Sequence, residues 1–143
     1  MDARLQLRLF FHGGVILLAA LVAGIPFGTT ITGRGDAAAH AWHVAHTGGI
    51  DTALLILALG LVVPTLALGR GAVRTFEWAT ILSGYPFMVG AIVSGLTGVR
   101  GLAPVGPPEN LVVWAGFTLS GVASLVAGGL LVWGALAALR GRG

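Results

Sequence analysis

Apolar residues dominate this chain in four long runs, at about 9–28, 39–68, 75–97 and 111–139. None shows the narrow apolar stripe of a surface helix; each is greasy on most of its circumference. Roughly 20 such residues, rising ~1.5 Å each, cross the ~30 Å hydrocarbon core of a bilayer. Between the runs lie polar or glycine- and proline-rich joints: Thr29 to Asp36, Gly69 to Arg74, and Val99 to Asn110. The pattern predicts an all-α fold, an integral membrane bundle of four transmembrane helices in a single domain covering residues 1–143.

Composition agrees with that picture. Of 143 residues, 56% are hydrophobic and 9% charged, against roughly 25% charged in a soluble domain, and the mean hydropathy is +0.94. The absence of cysteine excludes disulfides, thiolate catalysis and cysteine-ligated clusters. The basic residues are all arginine and the pI is near 11.2. These arginines flank the apolar runs instead of forming a phosphate-binding face, so nucleic acid is not the expected partner; membrane lipid is. Arg4, Arg8, Arg70, Arg74, Arg140 and Arg142 share one side with both termini, and only Arg34 and Arg100 lie opposite. The positive-inside rule then places the termini in the cytoplasm, in a membrane of the bacterial inner-membrane type. The basic start imitates a signal peptide, but its apolar run is long enough to be a retained span. Trp42, Trp78, Trp114 and Trp133 fall near span ends, where interface anchoring accounts for them.

Small residues recur every four positions at Gly90, Ser94 and Gly98, and again at Gly116, Ser120, Ser124 and Gly128. Both series predict close helix contacts, including contacts between copies of the chain.

The candidate chemistry concentrates at the start of the second run. His40, His43 and His46 follow one another at spacing three, with Gly48, Gly49, Asp51 and Thr52 beyond. At about 100° per residue the outer two histidines point well apart, which disfavours a zinc site needing three converging ligands. His40 and His43 read as residues of the membrane edge. One histidine deeper in the helix, beside two glycines that make room, suits a porphyrin, with Arg34 or Arg100 facing its propionates. Packing and hydrogen bonding between helices is the competing account of the same histidines. Asp51 lies deeper still and must be paired, protonated or turned to a cavity. Glu77 is expected to link to Arg74 or to snorkel, and Tyr85 to find a hydroxyl partner on another helix.

Trp42, Ala45, His46 and Gly48, with the apolar run to Pro64, resemble the second helix of the styrene oxide isomerase family. The likeness continues through Arg74, Gly84, Gly90, Arg100-Gly101-Leu102 and Gly106-Pro107, and includes His12-Gly13. Hydroxylaminobenzene mutase is a more distant likeness. The resemblance implies a homotrimer of four-helix protomers holding heme b between neighbouring subunits, with His46 as axial ligand of the iron. It implies ferric heme acting as a Lewis acid that rearranges a small apolar epoxide to an aldehyde. Trp42, Gly48, Gly49 and Arg100 are expected around the cofactor. Thr52 stands where the family has asparagine, Ser83 where it has a pocket aspartate, and Ala91 where it has a pocket tyrosine. Thr52, Ser83, Tyr85 and Asp51 are the residues expected to face the substrate. The rivals are a rearrangement of an aryl hydroxylamine, a non-catalytic heme binder or sensor, and a membrane subunit without cofactor.

Overall fold

The computed structural model describes residues 3–34 and 39–141. Asp36 and Arg142, which figured in the sequence reading, lie outside the described residues, as does the side chain of Arg34. Helix α1 (Ala3–Thr29) runs on into a π-helical turn (Thr30–Arg34). The second span joins α2 (Ala39–His43), a π-helical turn (Val44–Gly48), α3 (Gly49–Val62) and a 3-10 turn (Val63–Thr65). Helices α4 (Arg70–Thr97) and α5 (Pro108–Arg140) complete the chain. No strand occurs among the described residues. The spans Ala3–Thr32, Ala39–Thr65, Arg70–Thr97 and Pro108–Arg140 are long and apolar enough to cross a bilayer. The protein is an all-helical membrane protein with four such helices.

The helical starts lie outside the apolar runs because backbone hydrogen bonding continues past the hydrocarbon boundary. Thus α1 begins at Ala3 and α4 at Arg70, carrying the flanking arginines on their first two turns. The second span is shorter than its apolar run. Pro64 does not kink a continuing helix but ends it, because it has no N–H to extend the ladder. Leu66 is extended, and the Ala67 N–H donates to the Gly134 carbonyl at 3.1 Å. At Gly134 a Cβ would stand 2.9 Å from Leu68 Cγ, so the bare backbone is what lets this turn lie on α5.

Helix α4 is the centre of the bundle, touching α1, α2, α3 and α5, with its most extensive contact on α5. The small-residue series explain that contact. A Cβ on Gly116 would lie 2.6 Å from the Pro86 carbonyl oxygen and 3.2 Å from the Gly90 Cα. One turn on, the Ser120 hydroxyl donates to the Ser83 carbonyl at 2.6 Å. Gly90, Gly116 and Ser120 thus close the α4–α5 seam within the protomer. Between α1, α3 and α4 the core holds Leu9, Ile16, Ile56, Val63 and Phe76, all buried.

An ion pair crosses from α1 to α4. Arg8 Nε reaches Glu77 Oε1 at 2.9 Å; Glu77 is buried and the Arg8 side chain remains 57% exposed. The partner is therefore Arg8 and not the expected Arg74, because the buried face of α4 that carries Glu77 packs against α1. A carboxylate left unpaired here costs about 1–3 kcal/mol, less than a fully buried pair because water still reaches Arg8. We predict that Arg8→Met lowers the thermal midpoint in detergent and that Arg8→Met/Glu77→Leu recovers most of it. Additive losses in that double-mutant cycle would contradict the pairing.

Candidate functional site

The histidine stretch is bent by its backbone. Val44–Gly48 forms a π-helical turn, an insertion that shifts the side-chain register around the axis and is often found at functional sites. As a result the three rings part company. His40 is exposed and lines a cavity beside α4 and α5. His43 is exposed, with its ring edge-on to Phe27 at 5.2 Å. His46 turns toward α1. No group of three or more His, Asp or Glu side chains gathers as a metal site among the described residues.

His46 is held on three sides. Its Nδ1 lies 2.9 Å from the carbonyl oxygen of Ala20. A carbonyl only accepts, so Nδ1 carries a proton and donates, and Nε2 is the ring nitrogen left for another partner. The Phe27 ring stacks on the imidazole at 6.0 Å and 28°. Gly24 supplies the space: a Cβ there would stand 2.8 Å from Nδ1 and 2.9 Å from Cε1. The tautomer and orientation of His46 are thus set from α1. A second ring nitrogen bonded to a backbone carbonyl is the arrangement found in metal-ligating histidines. The set fits a metal centre approached by one imidazole.

The glycines after His46 have a different use from the one expected. Gly48 and Gly49 have ordinary helical φ values of −64° and −66°, so space is their purpose. A Cβ at Gly48 would meet Phe87 Cζ at 2.7 Å; at Gly49 it would meet Met88 Sδ at 2.6 Å and Ala20 Cβ at 2.7 Å. The room expected for a flat cofactor is occupied by the protein's own side chains. Trp42 likewise packs inward, over Gly95, where a Cβ would lie 2.7 Å from its ring.

The residues expected to face a substrate have separate partners. Thr52 Oγ1 donates to the Gly48 carbonyl at 2.7 Å, and buried Ser83 Oγ to the Thr80 carbonyl at 2.7 Å. Both hydroxyl protons are engaged by their own helices. The Tyr85 hydroxyl reaches across to α1, 2.8 Å from His12 Nδ1, which meets the expectation of an interhelical partner. Tyr85→Phe should cost about 1 kcal/mol of stability, read as a lower thermal midpoint. Asp51 is exposed, with no polar partner among the described residues.

A cavity of about 500 Å³ opens on the other side of α2. Ala91, Val44, Phe117 and Leu102 give it apolar walls, and His40 and Arg100 stand in its lining. Arg100, expected beside the cofactor, stands in the lining of this cavity. Sequence reasoning missed Ala20, Gly24 and Phe27. The first acts through its backbone, and the other two carry no signal in an apolar helix.

The framework now comprises four spans, an oriented imidazole on the second and an apolar cavity beside it. The family model described as styrene oxide isomerase matches residues 5–136. The chain belongs to the styrene oxide isomerase family. The match takes in α1 to α4 and most of α5, including His46 and every wall of the cavity. No curated protein gives a significant match.

Proposed function

We propose that the protein is a heme b-dependent membrane isomerase that converts a small apolar epoxide to an aldehyde. The observation that carries this reading is the state of His46: Nδ1 bound to the Ala20 carbonyl, with Nε2 left for another partner on a ring held between Gly24 and Phe27. Membership of the styrene oxide isomerase family supplies the reaction class. Heme, when bound, supplies a Lewis-acid iron for opening an epoxide C–O bond without net redox change. The rearrangement balances internally: one C–O bond breaks, a hydride moves from the oxygen-bearing carbon to its neighbour, and the second carbon–oxygen bond becomes the carbonyl.

The protein's own part is positional. His46 would hold the iron through Nε2, and the α1 carbonyl keeps the ring from turning. The walls made by Ala91, Val44 and Phe117 exclude water from a developing carbocation, which water would otherwise capture as a diol. His46 faces α1, whereas the cavity is walled by α2, α4 and α5. A single ligand touching both is best served by two copies, His46 from one and the cavity from the next. Exposed Asp51 supports the same assembly, since a carboxyl at bilayer depth calls for cover. The α4–α5 seam is closed within the protomer, so a homotrimer would join the second span of one copy to the cavity side of the next.

A second reading, a heme binder or sensor without catalysis, draws on one observation. The hydroxyls of Thr52 and Ser83 are engaged by their own helices, and Ala91 brings no polar group to the cavity. Gas chromatography separates the readings. Purified protein incubated with styrene oxide should yield phenylacetaldehyde. Unchanged epoxide alongside rearranged hydroxylaminobenzene would instead assign the mutase-like reaction, and no change in either substrate would assign a binder.

A further inference from the structure

The cavity between α2, α4 and α5 has a chemical bias that its apolar walls alone do not explain. Arg100 and His40 stand in its lining, and among the described residues no carboxylate does. Arg100 forms no ion pair among the described residues, and Glu109 on the first turn of α5 is not part of the lining. The backbone around Arg100 is fastened on both sides. The Ser94 hydroxyl donates to the Val99 carbonyl at 2.6 Å, and the Gly101 N–H donates to Asn110 Oδ1 at 2.9 Å. Asn110 Nδ2 also donates to the carbonyls of Ala103 and Val105, at 2.8 Å and 2.7 Å. Gly101 has φ +63°, and a Cβ there would lie 2.7 Å from the Trp114 nitrogen, so the loop is pressed onto α5. A loop tied by one side chain at three points presents its cation in a prepared place.

We propose that this cavity binds a small apolar molecule bearing one carboxylate, with the body against Ala91, Val44 and Phe117 and the carboxylate on Arg100. The planar guanidinium pairs with a carboxylate through two parallel hydrogen bonds. His40 adds an N–H donor at the same rim, and a cavity of about 500 Å³ lies within the range that takes small ligands. Ser94 and Asn110 act as positioning residues, through Arg100. As a statement of binding, the proposal stands on the cavity alone. As a statement of substrate class, an epoxide with an acidic tail, it rests on the isomerase reading. A porphyrin propionate offers Arg100 the same carboxylate chemistry, so the test must work without heme.

The experiment titrates 4-phenylbutyrate and its neutral counterpart, 4-phenylbutanamide, into wild-type protein and into His46→Ala in the same detergent, by calorimetry. The acid should bind both proteins about tenfold more tightly than the amide, the size of one charge-assisted contact. Arg100→Gln should erase the preference while leaving the amide unaffected. Asn110→Ala should weaken it in part, with helicity by circular dichroism unchanged. Equal binding of acid and amide, or a preference that survives Arg100→Gln, would overturn the proposal. So would a preference absent from His46→Ala together with heme loss in Arg100→Gln, which would assign the arginine to a propionate. If the acid binds as stated while 4-(oxiran-2-yl)benzoate is not isomerised, the binding site stands and the isomerase reading of it fails.

Discussion

Replacing His46 with glycine should leave the protein without heme, and free imidazole should restore it. This is the largest effect the structure leads us to expect, because Nε2 of His46 is the proposed iron ligand. The variant should purify without a Soret band. Its fold should survive, since His46 is only half-buried and the helix already accommodates Gly48 and Gly49 nearby. The vacated space keeps the Ala20 carbonyl, the bare backbone of Gly24 and the Phe27 ring, which together orient the imidazole. Imidazole added with hemin should occupy that space, donate to Ala20, and restore the band. Full heme content in the glycine variant without imidazole would assign the ligand elsewhere.

Gly24→Ala should reduce heme affinity about 10–100-fold, the usual size of a change behind a metal ligand. The added methyl carbon would stand 2.8 Å from His46 Nδ1, and the ring backs onto α1, so it must tilt and give up part of its bond to Ala20. Alanine is the better helix former by about 1 kcal/mol, so a mere stability effect would run the other way. Gly14→Ala is the control, because nothing lies within 4 Å of a Cβ at that position. It should leave heme titrations unchanged. Equal heme affinity in Gly24→Ala and wild type would mean that the cradle does not position the ligand.

The four spans were legible because hydrocarbon sets both their length and their composition, and no tertiary knowledge is needed to count them. Their ends were less so: Pro64 has one meaning inside a continuing helix and another where Leu66 can turn onto Gly134. His46 was separable from His40 and His43 by helical phase, and the π-helical turn at Val44–Gly48 parts the three rings. What fills the room beside a glycine is a different question. Gly48 and Gly49 announce space, but only the packing of α1 and α4 decides that Phe87, Met88 and Ala20 take it. The Arg8–Glu77 pair was hidden for the same reason, since helices far apart in sequence become neighbours only in the bundle. Hydroxyl groups mislead most. Thr52 and Ser83 look like donors in sequence, yet in an apolar helix the nearest acceptor is the carbonyl one turn back.

Every role proposed for the site depends on heme held by His46. The most direct test is the visible absorption spectrum of the wild-type protein, purified in mild detergent from cells supplied with 5-aminolevulinate. A Soret band in stoichiometric proportion to protein is expected. A colourless preparation that stays colourless when titrated with hemin would contradict heme binding.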